Sequence, residues 1–325
     1  MKALALEKTG GHLKVMDVPI PEPEADQVLV KIHSVGLNPV DYKLANSPLP
    51  EWEFPHISGL DVAGVVEKTG ENVTDWHPGD KVYYHGSLAH QGGFSEYSIA
   101  RQDVLAPLPE GLSFNEAAAL PTPAFTAYQS LNRKVPSRKG QTILIQAGAG
   151  GVGGFAIQLA LLKGLDIITT CSPENTAHVK KLGANKVIDY NTENVVKEVH
   201  KYTDGRGVDI VMDMVGGQAV SDAMDMLAFN GHLVSVVDLP DLSQYAPKSL
   251  ALSIHEVALG FVYRTDDERQ IADLGHIAKE VGELAANKQL DPMLEEVVTL
   301  EAVPETLSKI NEGHVRGNIV CQIVD

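Results

Sequence analysis

Residues 143–160 read ILIQAGAGGVGGFAIQLA. An apolar run stops at Gln146, three glycines follow as Gly148, Gly150 and Gly153 in G-x-G-x-x-G spacing, and an apolar, helix-forming stretch comes next. Each glycine has a physical task in such a unit: a tight turn, close backbone approach to a pyrophosphate, and close packing of helix on strand. The first-turn N–H groups of the helix supply the positive end of its dipole. The stretch therefore predicts a dinucleotide cradle made by Gly148, Ala149, Gly150, Gly151, Val152 and Gly153.

The flanking sequence keeps the same texture. Downstream come DIITTC, a helix around ENTAHVKKLG, KVID, a helix around ENVVKEVHKY, VDIVMDMV, a helix around AVSDAMDML, GHLVSVV and VALGFVY. Strands alternating with helices at these lengths imply βαβ units and a doubly wound parallel sheet. Upstream, residues 1 to about 115 give short strands such as KALAL, QVLVKIHSV, VAGVVEKTG and KVYYH, punctuated by Gly, Pro and Asp, which predicts a mostly β domain. The tail holds a long amphipathic helix in DDERQIADLGHIAKEVGELAANK, then EEVVTLE, a short helix and the strand NIVCQIVD. It has no sheet of its own to pack on, so a return to the first domain is expected.

Composition narrows the partner. Acidic residues outnumber basic ones 43 to 26, for a net charge of −17, and no Lys/Arg run offers a footprint for nucleic acid or an anionic membrane. A small-molecule partner is expected. The two cysteines, Cys171 and Cys321, have no companion at metal-ligand or redox spacing. The N-terminus MKALALEK lacks the features of a secretory signal, and apolar runs are too short to span a bilayer, so a cytoplasmic address is expected. His85 and His90 flank a loop and read as solvated; all twelve histidines read as structural.

At the end of the β domain's second long strand, VGLNPVDYKLAN at 35–46 places Asn38, Asp41, Tyr42 and Lys43 within six residues. Alone, Asn-Pro and its polar followers read as a turn. Which dinucleotide binds depends on the strand after the Gly loop. It ends ITTCSPEN, with neutral residues at its end and Glu174 beyond Pro173, where it reads as a first-turn helix charge. A site selecting the 2′-hydroxyl usually carries a carboxylate there. The sequence is therefore read for NADPH, its 2′-phosphate held by Ser172, Asn175 and Tyr190, although no Arg or Lys stands at the strand end.

GLNPVDYK, SGLDVAGVV, PGDKVY, GGFSEY, LPTPAFTAYQSL, AGAGGVGGFAIQLA, KKLGANKVIDYN, GVDIVMDMVGG and HVRGNIVCQIV together resemble the medium-chain dehydrogenase/reductase superfamily, in its zinc-free quinone oxidoreductase (zeta-crystallin-like) and enone reductase branch. The resemblance covers essentially the whole chain. It implies a GroES-like catalytic domain at 1–117, a Rossmann domain at 118–258, a return to the first domain at 259–325, an active site in the cleft between them, and a homodimer formed through the sheet edge around GFVY. It places Thr126, Val215, Phe261, Val262 and Asn318 among the cofactor contacts, with Gly260–Tyr263 as a strand meeting the carboxamide. Where related chains often have Lys, this one has Asn318. Zinc-dependent members use a Cys and a His at positions that here resemble Asn38 and Leu60, so no metal is expected.

The expected activity is hydride transfer from NADPH to a quinone or α,β-unsaturated carbonyl. Lys43 would stabilise the oxyanion, with hydrogen bonds from Asn38 and Tyr42. Asp41 would fix the loop, and Asp61 would either meet a cation or cap a turn. A non-catalytic NADPH-binding protein, crystallin-like or redox-sensing, is the alternative, and a metal-dependent alcohol dehydrogenase a weaker one.

Overall fold

Alternating apolar residues shape the N-terminal part of the computed structural model, which describes every residue except Pro247, Asp266, His314 and Asp325. The strands are β1 (Lys2–Leu6), β2 (Leu13–Asp17), β3 (Gln27–Leu37), β4 (His56–Ile57), β5 (Asp61–Thr69), β6 (Lys81–His85), β7 (Tyr97–Arg101) and β8 (Ala106–Pro107). Three helices accompany them: α1 (Pro39–Asn46), α2 (Phe114–Ala118) and α3 (Pro121–Tyr128). Leu120 precedes a proline, a position that disfavours helical backbone, and α2 and α3 are separate helices on either side of it.

The chain then enters a second unit, Thr126–Ala258. Its elements alternate: β9 (Thr142–Ile145), α4 (Gly151–Leu162), β10 (Asp166–Cys171), α5 (Thr176–Leu182), β11 (Lys186–Asp189), α6 (Val195–Tyr202), β12 (Val208–Asp213), α7 (Gln218–Met226), β13 (Leu227–Ser235) and β14 (Ser253–Glu256). The six strands are parallel in the order β11-β10-β9-β12-β13-β14. This is the Rossmann order 3-2-1-4-5-6, whose ligand crevice lies at the carboxyl ends of the strands where the order reverses, beside β9. Ile143, Leu144 and Ile145 are fully buried, as a strand covered on both faces requires.

The first unit, Met1–Phe125, is completed by Leu259–Asp325. Here lie α8 (Glu268–Ala286), β15 (Leu294–Val298), α9 (Val303–Asn311) and β16 (Asn318–Gln322). β16 pairs antiparallel with β3, giving the order β15-β16-β3-β5-β6-β8, with β7 also on β3; β2, β1 and β4 form a small second sheet. The tail thus finds its sheet in the first unit.

Two sequence readings are corrected. VALGFVY does not form the last strand of the parallel sheet: β14 is Ser253–Glu256, and Leu259–Arg264 is a 3₁₀ turn. A Cβ on Gly260 would lie 2.9 Å from Leu88 and 3.0 Å from His85, and the turn lets the Tyr263 hydroxyl donate to the His85 carbonyl at 2.6 Å. A close approach to distant residues, invisible in the apolar run, decides the conformation. VGLNPVDYKLAN, secondly, is not a turn alone. Asn38 is the extended N-cap of α1, Pro39 takes the first helical position, and the Asp41 carboxylate at N3 accepts the Asn38 N–H at 2.7 Å.

Candidate functional site

The Gly loop is stapled to the neighbouring strand. Ala147 N–H donates to Thr170 Oγ1 at 3.0 Å, Gly148 N–H to the Thr170 carbonyl at 2.9 Å, and Thr169 Oγ1 donates back to the Ile145 carbonyl at 2.7 Å. A Cβ on Gly148 would fall 1.9 Å from Thr169 Oγ1, and one on Gly153 2.3 Å from the Ala147 carbonyl oxygen. Only glycine fits at either place. Gly150 caps α4 without a side-chain hydrogen bond. The first-turn N–H groups at Gly151, Val152 and Gly153 have no intrahelical acceptor by the geometry of any helix start, so the helix presents donors and a positive dipole end to an anion. Beside the loop, Gln146 Oε1 is buried without a hydrogen-bond partner. These features fit a bound dinucleotide.

At the end of β10, Ser172 leads into a one-turn 3₁₀ helix, Pro173–Asn175. The Ser172 hydroxyl donates to Glu174 Oε1 at 2.5 Å and accepts from Asn175 Nδ2 at 3.0 Å. Glu174, read from sequence as a helix-start charge, therefore bends back to the very hydroxyl expected to meet a 2′-phosphate. Burial pushes the Cys171 thiol pKa up, and the charges of Asp189 and Glu174 act in the same direction. Tyr190 and Val215 are exposed beyond β11 and β12, and Thr126 is buried in α3, its carbonyl accepting from Ser130 Oγ at 2.7 Å.

In the first unit the start of α1 forms a buried polar knot. Asn38 Nδ2 donates to Asp61 Oδ2 at 2.8 Å; Thr122 N–H donates to the same oxygen at 2.9 Å and Thr122 Oγ1 to Asp61 Oδ1 at 2.5 Å. Burial raises the Asp41 pKa to about 8, with the Asp61 charge adding to the rise and backbone N–H groups at Asn38 and Gly59 opposing it. Burial likewise raises Asp61 to about 7, against the hydrogen bonds from Thr122 and Asn38. Asp61 thus anchors the amide of Asn38 and the start of α3. Thr122 was missed in the sequence, where it lies 61 residues from Asp61 and nothing local joins them.

One turn further along α1, Tyr42 is half-buried and Lys43 exposed. Neither side chain has a hydrogen-bond or ion-pair partner among the described residues. Phe261 is exposed on the 3₁₀ turn with Val262 half-buried beside it, and Asn318 is buried, its Nδ2 donating to the Pro292 carbonyl at 2.7 Å. His85 is not solvated as the sequence suggested: it closes β6, is 2% exposed, and burial pushes its pKa down to about 4. His90 remains exposed, with Nδ1 3.0 Å from Ser87 Oγ. Asn38, Tyr42, Lys43, Phe261, Val262 and Asn318 belong to the first unit; the other expected cofactor residues belong to the second.

The donor set at the α1 start does not suit zinc. Zinc takes thiolate, imidazole or carboxylate ligands converging tetrahedrally. Here Asn38 turns its amide N–H toward Asp61, Leu60 offers no donor, and both Asp61 oxygens are occupied by hydrogen bonds. Among the described residues no group of three or more His, Cys, Asp and Glu side chains could hold a metal ion. Nor is any helix among them long and apolar enough to cross a membrane.

Residues 24–110 match the family model of the alcohol dehydrogenase GroES-like domain, and residues 151–291 that of the zinc-binding dehydrogenases. The quinone oxidoreductase of Sus scrofa is 34% identical over 241 residues, 73% of each chain. The chloroplastic quinone-oxidoreductase homolog of Spinacia oleracea is 32% identical over 99% of this chain and 98% of that protein. The quinone oxidoreductase structure from Pseudomonas syringae pv. tomato DC3000 superposes with a TM-score of 0.89 at 28% identity, covering 99% of both chains.

Proposed function

Because the chain belongs to the medium-chain dehydrogenase/reductase superfamily, in its quinone oxidoreductase branch, we propose that it is a zinc-independent, NADPH-dependent reductase of quinones or α,β-unsaturated carbonyls. The observation that carries this reading is the Asn38–Asp61 hydrogen bond: the side chain at the position where zinc-dependent relatives keep a cysteine is committed to a carboxylate, beside a helix that offers a phenol and an ammonium. A reduced nicotinamide dinucleotide held at Gly148–Gly153 supplies the hydride. The chain's own contribution begins with binding, through the α4 N-terminus and the Gln146 acceptor.

Hydride arrival at such an acceptor leaves negative charge on an oxygen. Preorganised donors aimed at that oxygen lower the barrier, about 2.7–4 kcal/mol for one donor. Lys43 supplies a positive charge and three N–H donors, and Tyr42 a hydroxyl. Asn38 acts at one remove. Its backbone bond to Asp41 and side-chain bond to Asp61 fix the first turn of α1, and so the direction in which Tyr42 and Lys43 leave the helix. The proton that completes reduction comes from solvent or from Lys43.

Preference for the 2′-phosphate rests on Ser172, Asn175 and Tyr190, with Glu174 acting against it. Homodimerisation through the free edge of β14, which among the described residues pairs only with β13, and a cytoplasmic location complete the proposal. The test is NADPH and NADH oxidation against quinones, enals and simple ketones, for wild type and Lys43→Ala, with metal analysis of the same samples. Tight dinucleotide binding without turnover of any acceptor would sink the reductase reading, and stoichiometric zinc would overturn the metal argument.

A further inference from the structure

The first unit contains a cavity of about 650 Å³ bounded by the β1–β2 sheet, β7, the Gly86–Gly92 loop and the start of α8. Val18, Pro21, Ile57, Ile99 and Ile271 give it apolar walls. None of Asn38, Asp41, Tyr42 or Lys43 lines it. We propose that this cavity is a second binding site, separate from the α1 site, for a mostly apolar small molecule that carries carbonyl-type hydrogen-bond acceptors.

Size and chemistry both point that way. Protein interiors close-pack and leave few voids larger than a water, whereas 650 Å³ falls in the range of small-molecule sites, which are mostly apolar with a few placed polar groups. The side-chain charges of Arg101 and Glu268 at its edge are already paired. Arg101 donates from Nε to Asp103 at 3.0 Å and from its terminal nitrogen at 2.7 Å, and also reaches Glu268; the Met1 ammonium donates to the Val18 carbonyl at 2.7 Å. A ligand carboxylate or ammonium would have to break the Arg101 contacts to pair with Arg101 or Glu268, whereas an uncharged acceptor meets the remaining donors without breaking them. The Ser87–His90 pair and the half-buried Tyr97 offer O–H and N–H groups to a ligand acceptor.

The same loop ties the cavity to the α1 site. At the loop's two ends, Gly86 N–H donates to the Leu60 carbonyl at 2.6 Å, Gly92 to Ile57 at 2.6 Å and Gly93 to Gly59 at 2.7 Å. Asp61 follows directly. Trp52 Nε1 donates to the Leu88 carbonyl at 2.8 Å, so an occupant that shifts this loop alters the surroundings of Trp52.

The inference goes beyond the proposed reductase activity and is tested without dinucleotide, where no turnover occurs. The chain's other tryptophan is removed as Trp76→Phe, and 1,4-naphthoquinone is titrated while Trp52 fluorescence is read, with equilibrium dialysis for stoichiometry. Saturable binding that changes Trp52 fluorescence is expected, weakened at least tenfold by Ile99→Phe, which fills the cavity from β7. Should Ile99→Phe not fold, Thr265→Phe at the exposed mouth replaces it, with the same expectation. Absence of saturable binding, or equal binding by wild type and the cavity variants, overturns the inference. Quinone binding with those dependences but no NADPH-linked reduction leaves it standing and removes the reductase reading alone.

Discussion

Replacing Asp41 by asparagine tests the buried carboxyl pair through the pH dependence of stability. Asp41 is 2% exposed and its pKa is raised from 3.8 to about 8. A carboxyl with a raised folded pKa keeps its proton longer folded than unfolded. Its stabilisation is therefore full below about pH 4 and lost as pH climbs through about 8. At about 1.4 kcal/mol per pKa unit, the full rise corresponds to about 6 kcal/mol. Rearrangement of protein and water around an ionised buried group recovers part of such a penalty, so a fall of about 2–3 kcal/mol between pH 5 and pH 8 is expected for wild type. The amide introduced by Asp41→Asn retains an oxygen for the Asn38 N–H but has no acidic proton to lose. The variant should be slightly less stable than wild type at pH 5 and equal or more stable at pH 8. Both tryptophans, Trp52 and Trp76, lie in the first unit, so urea unfolding followed by tryptophan fluorescence reports the relevant part of the chain. A wild-type midpoint that does not move between pH 5 and pH 8, or an Asp41→Asn variant destabilised equally at both, refutes the reasoning.

Further expectations concern the α1 helix and the cofactor loop. Lys43→Ala should lower kcat for quinone reduction about a hundred- to thousandfold, with Lys43→Arg recovering part of it; steady-state kinetics that show only a raised KM would assign Lys43 to binding instead. In Gly148→Ala the added Cβ would lie 1.9 Å from Thr169 Oγ1, so titration calorimetry should show at least tenfold weaker dinucleotide binding, and an unchanged Kd would remove the loop from the site. Glu174→Gln takes a negative charge from beside Ser172 and should shift the ratio of NADPH to NADH affinity toward NADPH by several-fold; no shift would mean that this carboxylate does not face the 2′ position.

What could be read in the sequence was what is decided locally. Gly148–Gly153 was legible because a glycine's missing side chain, a preceding strand and a following helix lie within one short stretch. The α1 helix was written there too, as Asn-Pro-x-Asp, an N-cap with Pro at the first helical position and an acid at N3. The pair Asn-Pro is equally a turn signal, and the helix is short enough for the turn reading to compete. The Asp61–Thr122 bond depends on β5 and α3 meeting, which no periodicity encodes. VALGFVY has the composition of a strand, and its fate turned on the approach of Gly260 to Leu88 and His85. Glu174 stands in the first turn of the short helix that Pro173 begins, as its place after the proline suggests; that its carboxylate also meets the Ser172 hydroxyl follows from the 3₁₀ geometry, which no local pattern encodes.

The same polar knot bears on why the proposed chemistry would rely on Tyr42 and Lys43. Two carboxyl groups, Asp41 and Asp61, are buried at the start of α1, and among the described residues neither is ion-paired to a lysine or arginine. A metal-dependent relative would set a divalent ion nearby, whose charge both stabilises such carboxylates and polarises the substrate oxygen. With Asn38 in place of the cysteine, the carboxylates are balanced by hydrogen bonds from Asn38 and Thr122 and by protons retained through burial. A neutral acid balances its own charge but contributes no net positive field toward a developing oxyanion. The field must then come from a cation that has no other partner. Lys43, five residues after Asn38 and unpaired among the described residues, is the cation we propose for that role. On this reasoning Asn38→Ala, which leaves Asp61 short of a donor and loosens the helix start, should reduce turnover less than Lys43→Ala while costing more in thermal stability. The reverse ranking in the two assays would place the electrostatic role on Asn38.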